Sequence, residues 1–319
     1  LVFVLATPDV MYRLTMTRPH NLSFALSAII FALFLSSSKR WPLFILGFIA
    51  AFLHSALSWL PLAVVILTSL ILKLRREPAK FKHIIYLALS VIGGLLTRPN
   101  PLGGLKLAYI QVVQIITVKM QNIPLTFGRE LKTPNLDSII RNILPVVLIG
   151  VIGIVLYKIA IKKYRANEIS IQKNIFLSAL TVSVFFLLIT LFVARRSYDI
   201  FTGFTLITVS IALTLYLNKL TNINHKKFVV SGLIIVAGFL SLNSVPLFRA
   251  YNADAWALDD MKESSLWLKE NAKAGEIVFN TSWDQFGSLM YWNNQNYYIN
   301  GMDPIFEYAF SPALYWKNH

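Results

Sequence analysis

The chain alternates between long apolar runs and short polar segments that are mostly basic. Crossing the hydrocarbon core of a bilayer takes about 20 apolar residues in a helix. The stretch from Trp41 to Leu72 is too long for one crossing, and it predicts two short helices that turn near Ser58–Pro61, because proline cannot continue the first helix. With this pair the pattern predicts about eight spans. The other predicted spans are residues 22–36, 84–96, 143–161, 175–194, 201–217 and 228–245.

The basic segments predict an orientation. Lysine and arginine accumulate in the cytoplasmic loops of membrane proteins. The basic segments are residues 39–40, 73–82, 158–173 and 219–227. An even number of predicted spans separates each from the next, so all four can lie in the cytoplasm. Residues 8–20, 97–141, 195–199 and everything after about residue 247 then lie outside.

Composition supports this class of protein. Hydrophobic residues make up 56% of the 319 residues, charged residues only 14%, and the mean hydropathy is +0.60. Soluble domains carry about 25% charged residues, so a cytosolic enzyme, a secreted scaffold and a disordered tail are excluded. The chain has no cysteine, which excludes disulfides, thiolate metal sites and a cysteine nucleophile. The net charge of +15 is spread over loops, and we expect no nucleic-acid partner.

The charge balance inverts near residue 250, where nine of the fifteen carboxylates follow. We therefore expect a transmembrane domain at 1–249, truncated at its N-terminus, and a soluble extracytoplasmic α/β domain at 250–319, truncated at its C-terminus. The expected elements of the tail are a helix at 254–271, strands at 277–279 and 297–299 that pair in parallel, and a helix at 283–291 between them. The fold class is an α-helical polytopic membrane protein with about eight spans and this small C-terminal domain.

The outer loop 97–141 contains an apolar segment, residues 105–120, with lysine, glutamine and threonine interspersed. We interpret it as an amphipathic helix lying at the outer interface. The alternative is a ninth span, which would upset the even count between the basic segments. Gly93 and Gly94 favour close packing between helices.

The sequence contains none of the motifs for nucleotide binding, dinucleotide binding, zinc or a serine-hydrolase elbow. What remains is a set of arginines on the predicted outer side. A guanidinium group suits phosphate, so these side chains could bind a lipid-linked phosphate; the alternative is that each extends to lipid headgroups. The candidate phosphate-binding residues are Arg13, Arg18, Arg98, Arg195 and Arg196, and further candidates near them are His20, His54, Asn100, Glu130 and Asp199.

The densest polar cluster of the tail, residues 280–286, follows the first predicted strand. Trp283 could stack on a sugar ring while Asp284 accepts hydrogen bonds from hydroxyl groups. The alternative is that Asp284 caps the next helix and Trp283 fills the core.

A histidine such as His54 at membrane depth is a functional candidate, although a lone histidine beside Phe52 and Trp59 is more often a packing residue. Asp303-Pro304 is typical of a turn.

Four short motifs together resemble the polytopic glycosyltransferases of the GT-C class. They are Arg18-Pro19-His20, Arg98-Pro99-Asn100-Pro101, Gly128-Arg129-Glu130-Leu131 and Arg195-Arg196. The tail segments Trp267–Asn271, Val278-Phe279-Asn280 and Trp283–Phe286 are similar to the soluble tail of uncharacterised bacterial members. Trp283–Phe286 is also similar to the Trp-Asp-Tyr-Gly region of oligosaccharyltransferase catalytic subunits, but Gln285-Phe286 replaces Tyr-Gly, so recognition of a peptide acceptor is not carried over.

The resemblance implies hexosyl or pentosyl transfer from a polyprenyl-phosphate donor at the extracytoplasmic face of a bacterial inner membrane, in glycan biosynthesis of the cell envelope. It implies basic residues on the donor phosphate and a catalytic carboxylate in the first outer loop, most of which is missing. Asp9 is the only carboxylate in the remnant of that loop, but no sequence argument places it beside the acceptor hydroxyl, so the sequence assigns no catalytic residue. The partners would be membrane lipid, the polyprenyl-phosphate-linked sugar and a glycan, lipid or protein acceptor. No metal ligand set is evident, and a divalent cation stays open. Two other hypotheses are a scaffold whose tail binds a partner, and a lipid or solute transporter.

Overall fold

The computed structural model describes residues 8–15, 19–37, 39–125, 127–128, 130–162, 164, 168–220, 222–253, 257, 259–301 and 303–318. These residues form helices and one small sheet. In chain order the α-helices are α1 Pro8–Thr15, α2 Pro19–Ser36, α3 Trp41–Leu53, α4 Leu60–Leu74, α5 Phe81–Leu96, α6 Pro101–Tyr109, α7 Ile115–Met120, α8 Leu136–Ser138, α9 Leu144–Ile161, α10 Ser170–Phe192, α11 Tyr198–Lys219, α12 Ile223–Ala253, α13 Lys262–Asn271, α14 Phe286–Trp292, α15 Pro304–Phe310 and α16 Pro312–Asn318. The strands are β1 Ile277–Val278 and β2 Tyr297–Tyr298.

Seven helical stretches in the described ranges are long and apolar enough to cross a membrane, and α3 and α5 are shorter apolar helices. The seven are Pro19–Ser36, Ser55–Leu74, Pro101–Met120, Leu136–Ile161, Ser170–Phe192, Arg195–Lys219 and Ile223–Ala250. Each of the eight predicted spans is helical. The predicted pair within 41–72 is confirmed as α3 and α4, and the break lies at His54–Trp59, slightly earlier than the proline suggested.

The chain divides into two compact units. The helical unit comprises residues 1–109 and 133–250, and the tail unit comprises residues 110–132 together with 251–319. The sequence placed the boundary near residue 250 and assigned all of 97–141 to the transmembrane part. The structure instead groups 110–132 with the tail, because Ile110, Ile115 and Val118 form one apolar core with Ile305 and Tyr315.

The helical unit has a basic end, where the predicted cytoplasmic segments meet. Lys80 Nζ donates hydrogen bonds to the backbone oxygens of Phe34 at 2.7 Å and Ser37 at 2.9 Å, where α2 ends. Ser170 Oγ donates to Glu77 Oε1 at 3.0 Å. Lys219 Nζ lies 4.0 Å from the centre of the Tyr164 ring, and Arg40 Cζ lies 5.4 Å from the centre of the Tyr86 ring. Arg75 Nη1 donates a hydrogen bond to Asn174 Oδ1. The ends of α2, α4, α9 and α11 and the starts of α5 and α10 therefore lie at the same end of the helical unit.

Packing between α3 and α5 depends on small residues, as expected for helices in a membrane. A Cβ atom on Gly94 would collide with the backbone oxygen of Phe48 and would lie 3.0 Å from Ala51 Cβ. Gly93 differs, because its Cβ atom would meet the Phe48 ring at 3.7 Å, an ordinary contact. Of the predicted glycine pair, only Gly94 is required for close approach of the two helices.

The larger apolar core of the helical unit joins α1, α2, α4, α9, α10 and α11. Phe204 has no exposed surface and packs edge-to-face on Phe31, with ring centres 5.4 Å apart. Its other buried members are Val10, Leu60, Val64, Ile143, Val146, Ala179, Val182, Phe186, Tyr198, Ile200 and Phe201. Val10 is the notable one, because it brings α1, which the hydrophobic pattern did not predict, into the core.

The tail unit contains the parallel strand pair that the sequence predicted. Ile277 pairs with Tyr297 and Val278 with Tyr298, and α14 connects the strands. Two buried asparagines extend this two-residue ladder. Asn300 N donates to Asn280 Oδ1 at 3.0 Å, while Asn280 Nδ2 donates to the backbone oxygen of Asn300 at 2.7 Å. The helix predicted at 254–271 begins later, at Lys262, and residues 254–256 and 258 lie outside the described residues.

The two neighbouring glycines give a matched test of the α3–α5 contact. We expect Gly94→Ala to lower stability by about 1–3 kcal/mol, because the helices must separate to admit the methyl group. Gly93→Ala should be neutral or stabilising by up to about 1 kcal/mol, since alanine favours a helix and meets no obstacle. Thermal unfolding of both variants in detergent measures this, and equal losses would contradict the packing described above.

Candidate functional site

Charged side chains gather at the end of the helical unit opposite the basic end. The charge cluster consists of Asp9 and Arg13 from α1, His20 from α2, Arg195 from the 3₁₀ turn before α11, and Asp199 from the first turn of α11. All five belong to the segments that the sequence placed on the outer side. Asp9, Arg13 and His20 are buried, so the cluster is part of the fold.

Arg13 and Asp199 form the central ion pair. Arg13 Nε lies 2.8 Å from both carboxylate oxygens of Asp199, and the two side chains are 7% and 13% exposed. His20 Nε2 lies 3.6 Å from Asp199 Oδ2. Charges this far from water must be paired, because removing an unpaired ion from water costs on the order of several kcal/mol. The geometry therefore makes Asp199 the link between α1, α2 and α11.

Arg195 and Asp9 form a second pair. Arg195 Nη2 lies 2.9 Å from Asp9 Oδ2, close enough for an ion pair. The alignment is not that of a hydrogen bond, and Asp9 Oδ2 is a buried oxygen without a hydrogen-bond donor among the described residues. Asp9 is thus a buried carboxylate whose charge is balanced by Arg195.

Backbone anchors hold these side chains in place. Tyr198 is 1% exposed, and its hydroxyl donates to the backbone oxygen of Asn142 at 2.9 Å, which ties the start of α11 to the turn before α9. Asn21 Nδ2 donates to the backbone oxygens of Arg13 and Leu14, each at 3.3 Å, at the end of α1. Asp199 lies at a helix N-terminus, where the helix dipole favours a negative charge.

A second group, centred on His54, lies at the same end of the unit. Ser23 Oγ is 2.8 Å from His54 Nδ1. Burial, together with the nearby positive charges of Arg196 and Arg98, lowers the pKa of His54 to about 4. Arg98 Nη1 donates to the backbone oxygens of Phe52 at 2.5 Å and Ala51 at 3.3 Å. Arg98 thereby satisfies carbonyl groups that the end of α3 leaves without partners.

The structure brings four of the five predicted arginines to one end of the helical unit, and Arg18 lies outside the described residues. Their surroundings differ from the expectation. Arg13 and Arg195 face carboxylates instead of presenting an open charge. Arg98 has neutral oxygens as partners, and no carboxylate lies within ion-pair distance of it in the described part of the chain.

The carboxylate partners could have been found from the sequence. Only six carboxylates precede residue 250, and four of them lie in predicted outer segments: Asp9, Glu130, Asp137 and Asp199. Arginines buried at a membrane boundary need such partners. Asp9 also lies four residues before Arg13, so one turn of helix places both on the same face. Residues 8–15 lack a long apolar run, so the hydrophobic pattern alone does not indicate this helix.

The remaining candidates take local roles. Asn100 Oδ1 accepts a hydrogen bond from Gly103 N at 2.9 Å, at the start of α6. In the tail unit, Asp303 Oδ2 accepts from Gly128 N at 2.8 Å and Asp303 Oδ1 from Ile305 N at 3.4 Å, so this aspartate caps α15 and anchors the loop that contains Glu130. The predicted turn at Asp303 is thus a helix cap.

The polar cluster of the tail divides into structural and exposed members. Asn280 is buried and bonded to the second strand, so it is structural. Trp283 is 37% exposed, and one edge of its ring lies against Gly128. Asp284 is exposed and accepts a hydrogen bond from Ser282 Oγ. The alternative that Trp283 fills the core is not what the structure shows.

Comparison with known proteins adds nothing to this geometry: no family model, no curated protein and no solved structure matches the chain. Within the described ranges, no group of three or more histidine or acidic side chains could hold a metal ion. The function must therefore be argued from the site.

The burial of the Arg13–Asp199 pair gives a prediction for stability. Arg13→Gln leaves Asp199 charged and buried, so we expect a loss of about 3–5 kcal/mol. Arg141 pairs with Asp137 at an exposed position, the side chains being 58% and 62% exposed. Arg141→Gln is therefore the matched control, with an expected loss below about 1 kcal/mol. Unfolding in detergent compares the two, and a larger loss from Arg141→Gln would refute the assignment.

His54 gives a prediction for pH dependence. Its pKa in the folded protein, about 4, lies below the ordinary value of 6.5. The unfolded chain therefore binds the proton first, and the contribution of His54 to stability, complete above about pH 6.5, is lost as the pH falls toward 4. NMR titration of the labelled histidine ring measures the pKa. Replacing His54 with Gln should flatten the stability profile between these pH values, and an unchanged profile would count against the assignment.

Proposed function

We propose that the chain is a membrane glycosyltransferase that moves a hexose or pentose from a polyprenyl-phosphate donor to an acceptor hydroxyl at the extracytoplasmic face. The observation that carries the proposal is the convergence of a buried carboxylate, Asp9, and the guanidinium groups of Arg98, Arg195 and Arg196 at one end of an apolar helical unit. The resemblance to GT-C enzymes supports the same reaction class. The placement in a bacterial inner membrane, with the tail unit outside, is part of this proposal.

Arg98 is the best candidate for the donor phosphate. Its partners in the structure are the neutral carbonyl oxygens of Ala51 and Phe52, so its positive charge is not cancelled as those of Arg13 and Arg195 are. A guanidinium group can bond a carbonyl group with one nitrogen and a phosphate with others. Arg98 and Arg196 both act on the charge state of His54, so the two arginines share one neighbourhood.

Asp9 is the candidate that accepts the proton of the acceptor hydroxyl. Its Oδ2 atom is buried and lies 2.9 Å from Arg195 Nη2, so the acceptor hydroxyl would have to displace Arg195 or approach the other oxygen, Oδ1, to give up its proton. In the proposed reaction the acceptor oxygen attacks the anomeric carbon and the bond from that carbon to the phosphate oxygen breaks. The polyprenyl phosphate leaves with the bonding electrons, and the hydroxyl proton passes to Asp9.

The test is sugar transfer by the purified chain in liposomes, using a panel of polyprenyl-phosphate hexoses and pentoses. Arg98→Gln keeps a donor for the α3 carbonyl groups but loses the charge. A lost charged hydrogen bond to phosphate is worth about 1.5–3 kcal/mol, so we expect the KM for the donor to rise about 10- to 150-fold. Arg141→Gln, an exposed arginine outside the site, should leave the KM unchanged.

Two outcomes would contradict the proposal. An unchanged KM in a folded Arg98→Gln protein would remove Arg98 from the phosphate site. A wild-type protein that transfers no sugar from any donor of the panel would remove the transferase. The scaffold hypothesis would then gain weight, because the tail unit exposes large aromatic side chains such as Trp267, Tyr291 and Phe310.

A further inference from the structure

The helix Pro101–Met120 carries a continuous apolar stripe on its exposed face. The exposed apolar residues recur every three or four positions, the spacing of one helix face. They are Leu102, Leu105, Tyr109, Val113, Ile116 and Met120. Lys106 is exposed beside the stripe. Charge next to an apolar stripe is typical of a helix that lies on a bilayer surface.

The opposite face of the same helix is already covered. Near its start, Gly104 lies against the side chains of Arg98 and Ser55. In the tail unit, Ile110, Ile115 and Val118 are buried with Leu125, Leu131, Ile305 and Tyr315. A helix that is packed on one side and apolar on the other has one face left for a partner.

Length alone would let this helix cross a bilayer, since its 20 residues extend about 30 Å. Its covered face argues against crossing. Charged groups belong to the contacts on this side: Lys119 of the helix itself donates from Nζ to the backbone oxygen of Leu131, and Asp303 Oδ2 accepts a hydrogen bond from Gly128 N at 2.8 Å. A crossing helix would carry these charges to membrane depth, where charged groups are costly. A helix lying in the plane of the bilayer keeps them on the water side.

We infer that the helix Pro101–Met120 lies in the plane of the membrane surface, with its exposed stripe inserted among the lipid acyl chains and Lys106 at the headgroups. The partner of this surface is the lipid bilayer. The inference rests on the membrane placement but not on sugar transfer. On this inference, the helix holds the predicted outer loop 97–141 against the membrane surface.

The absence of native cysteine makes a direct test possible. Single cysteines at Leu102, Tyr109 and Met120 would be spin-labelled in the full chain, reconstituted in nanodiscs of phosphatidylethanolamine and phosphatidylglycerol. Accessibility to oxygen and to a nickel chelate then gives the depth of each label. A label at Ile152→Cys, half-exposed in the middle of α9, provides the reference for the bilayer centre. A label at Lys269→Cys, exposed on α13, provides the reference for water.

An in-plane helix gives one shared depth for the three stripe labels, about 5–10 Å below the headgroups. Two results would overturn the inference. If Tyr109 reaches the depth of Ile152 while the two end labels stay shallow, the helix crosses the bilayer. If all three labels behave like Lys269, the stripe faces water or a protein partner. A shallow Ile152 label would show that the membrane placement itself is wrong, which separates that failure from failure of the inference.

Discussion

The balance of charge at one end of an apolar helical unit is the constraint on which the candidate site depends. A guanidinium group and a carboxylate that lose water must find each other, and Arg13 and Asp199 do so across 186 residues of sequence. The pair joins the first helix to the eleventh, and the 3₁₀ turn at Arg195–Ser197 brings the second pair into register. The charge cluster is therefore a consequence of the fold, because charges buried in it must be paired.

Because of this constraint, the arginines at this end of the helical unit have different structural roles. From the sequence they are equivalent cations on one side of the membrane. In the structure Arg13 and Arg195 hold helices together, while Arg98 caps α3 and keeps its positive charge uncompensated among the described residues. The latter environment is the one that we propose for the donor phosphate. The positions of the few carboxylates therefore determine which arginines form ion pairs and which do not.

The pattern of apolar runs was sufficient to predict the eight helices of the expected spans, because a span is a local property of about 20 residues. It also predicted the parallel strands around α14, where strand, helix and strand follow one another closely. It missed α1, because eight residues of mixed polarity have no span signal and helix α1 is stabilised by its contacts, such as Val10 in the core. It also missed the assignment of residues 110–132 to the tail unit, because Ile110 and Tyr315 meet only in the folded chain.

Lys80 shows how one residue can serve two purposes at the basic end. Its ammonium group binds three backbone carbonyl oxygens where α2 ends, and burial lowers its pKa. In a chain that inserts by the distribution of positive charge, the same lysine would also help to decide which way the neighbouring helices enter the bilayer. Removing it would then weaken a helix end and an insertion signal at once.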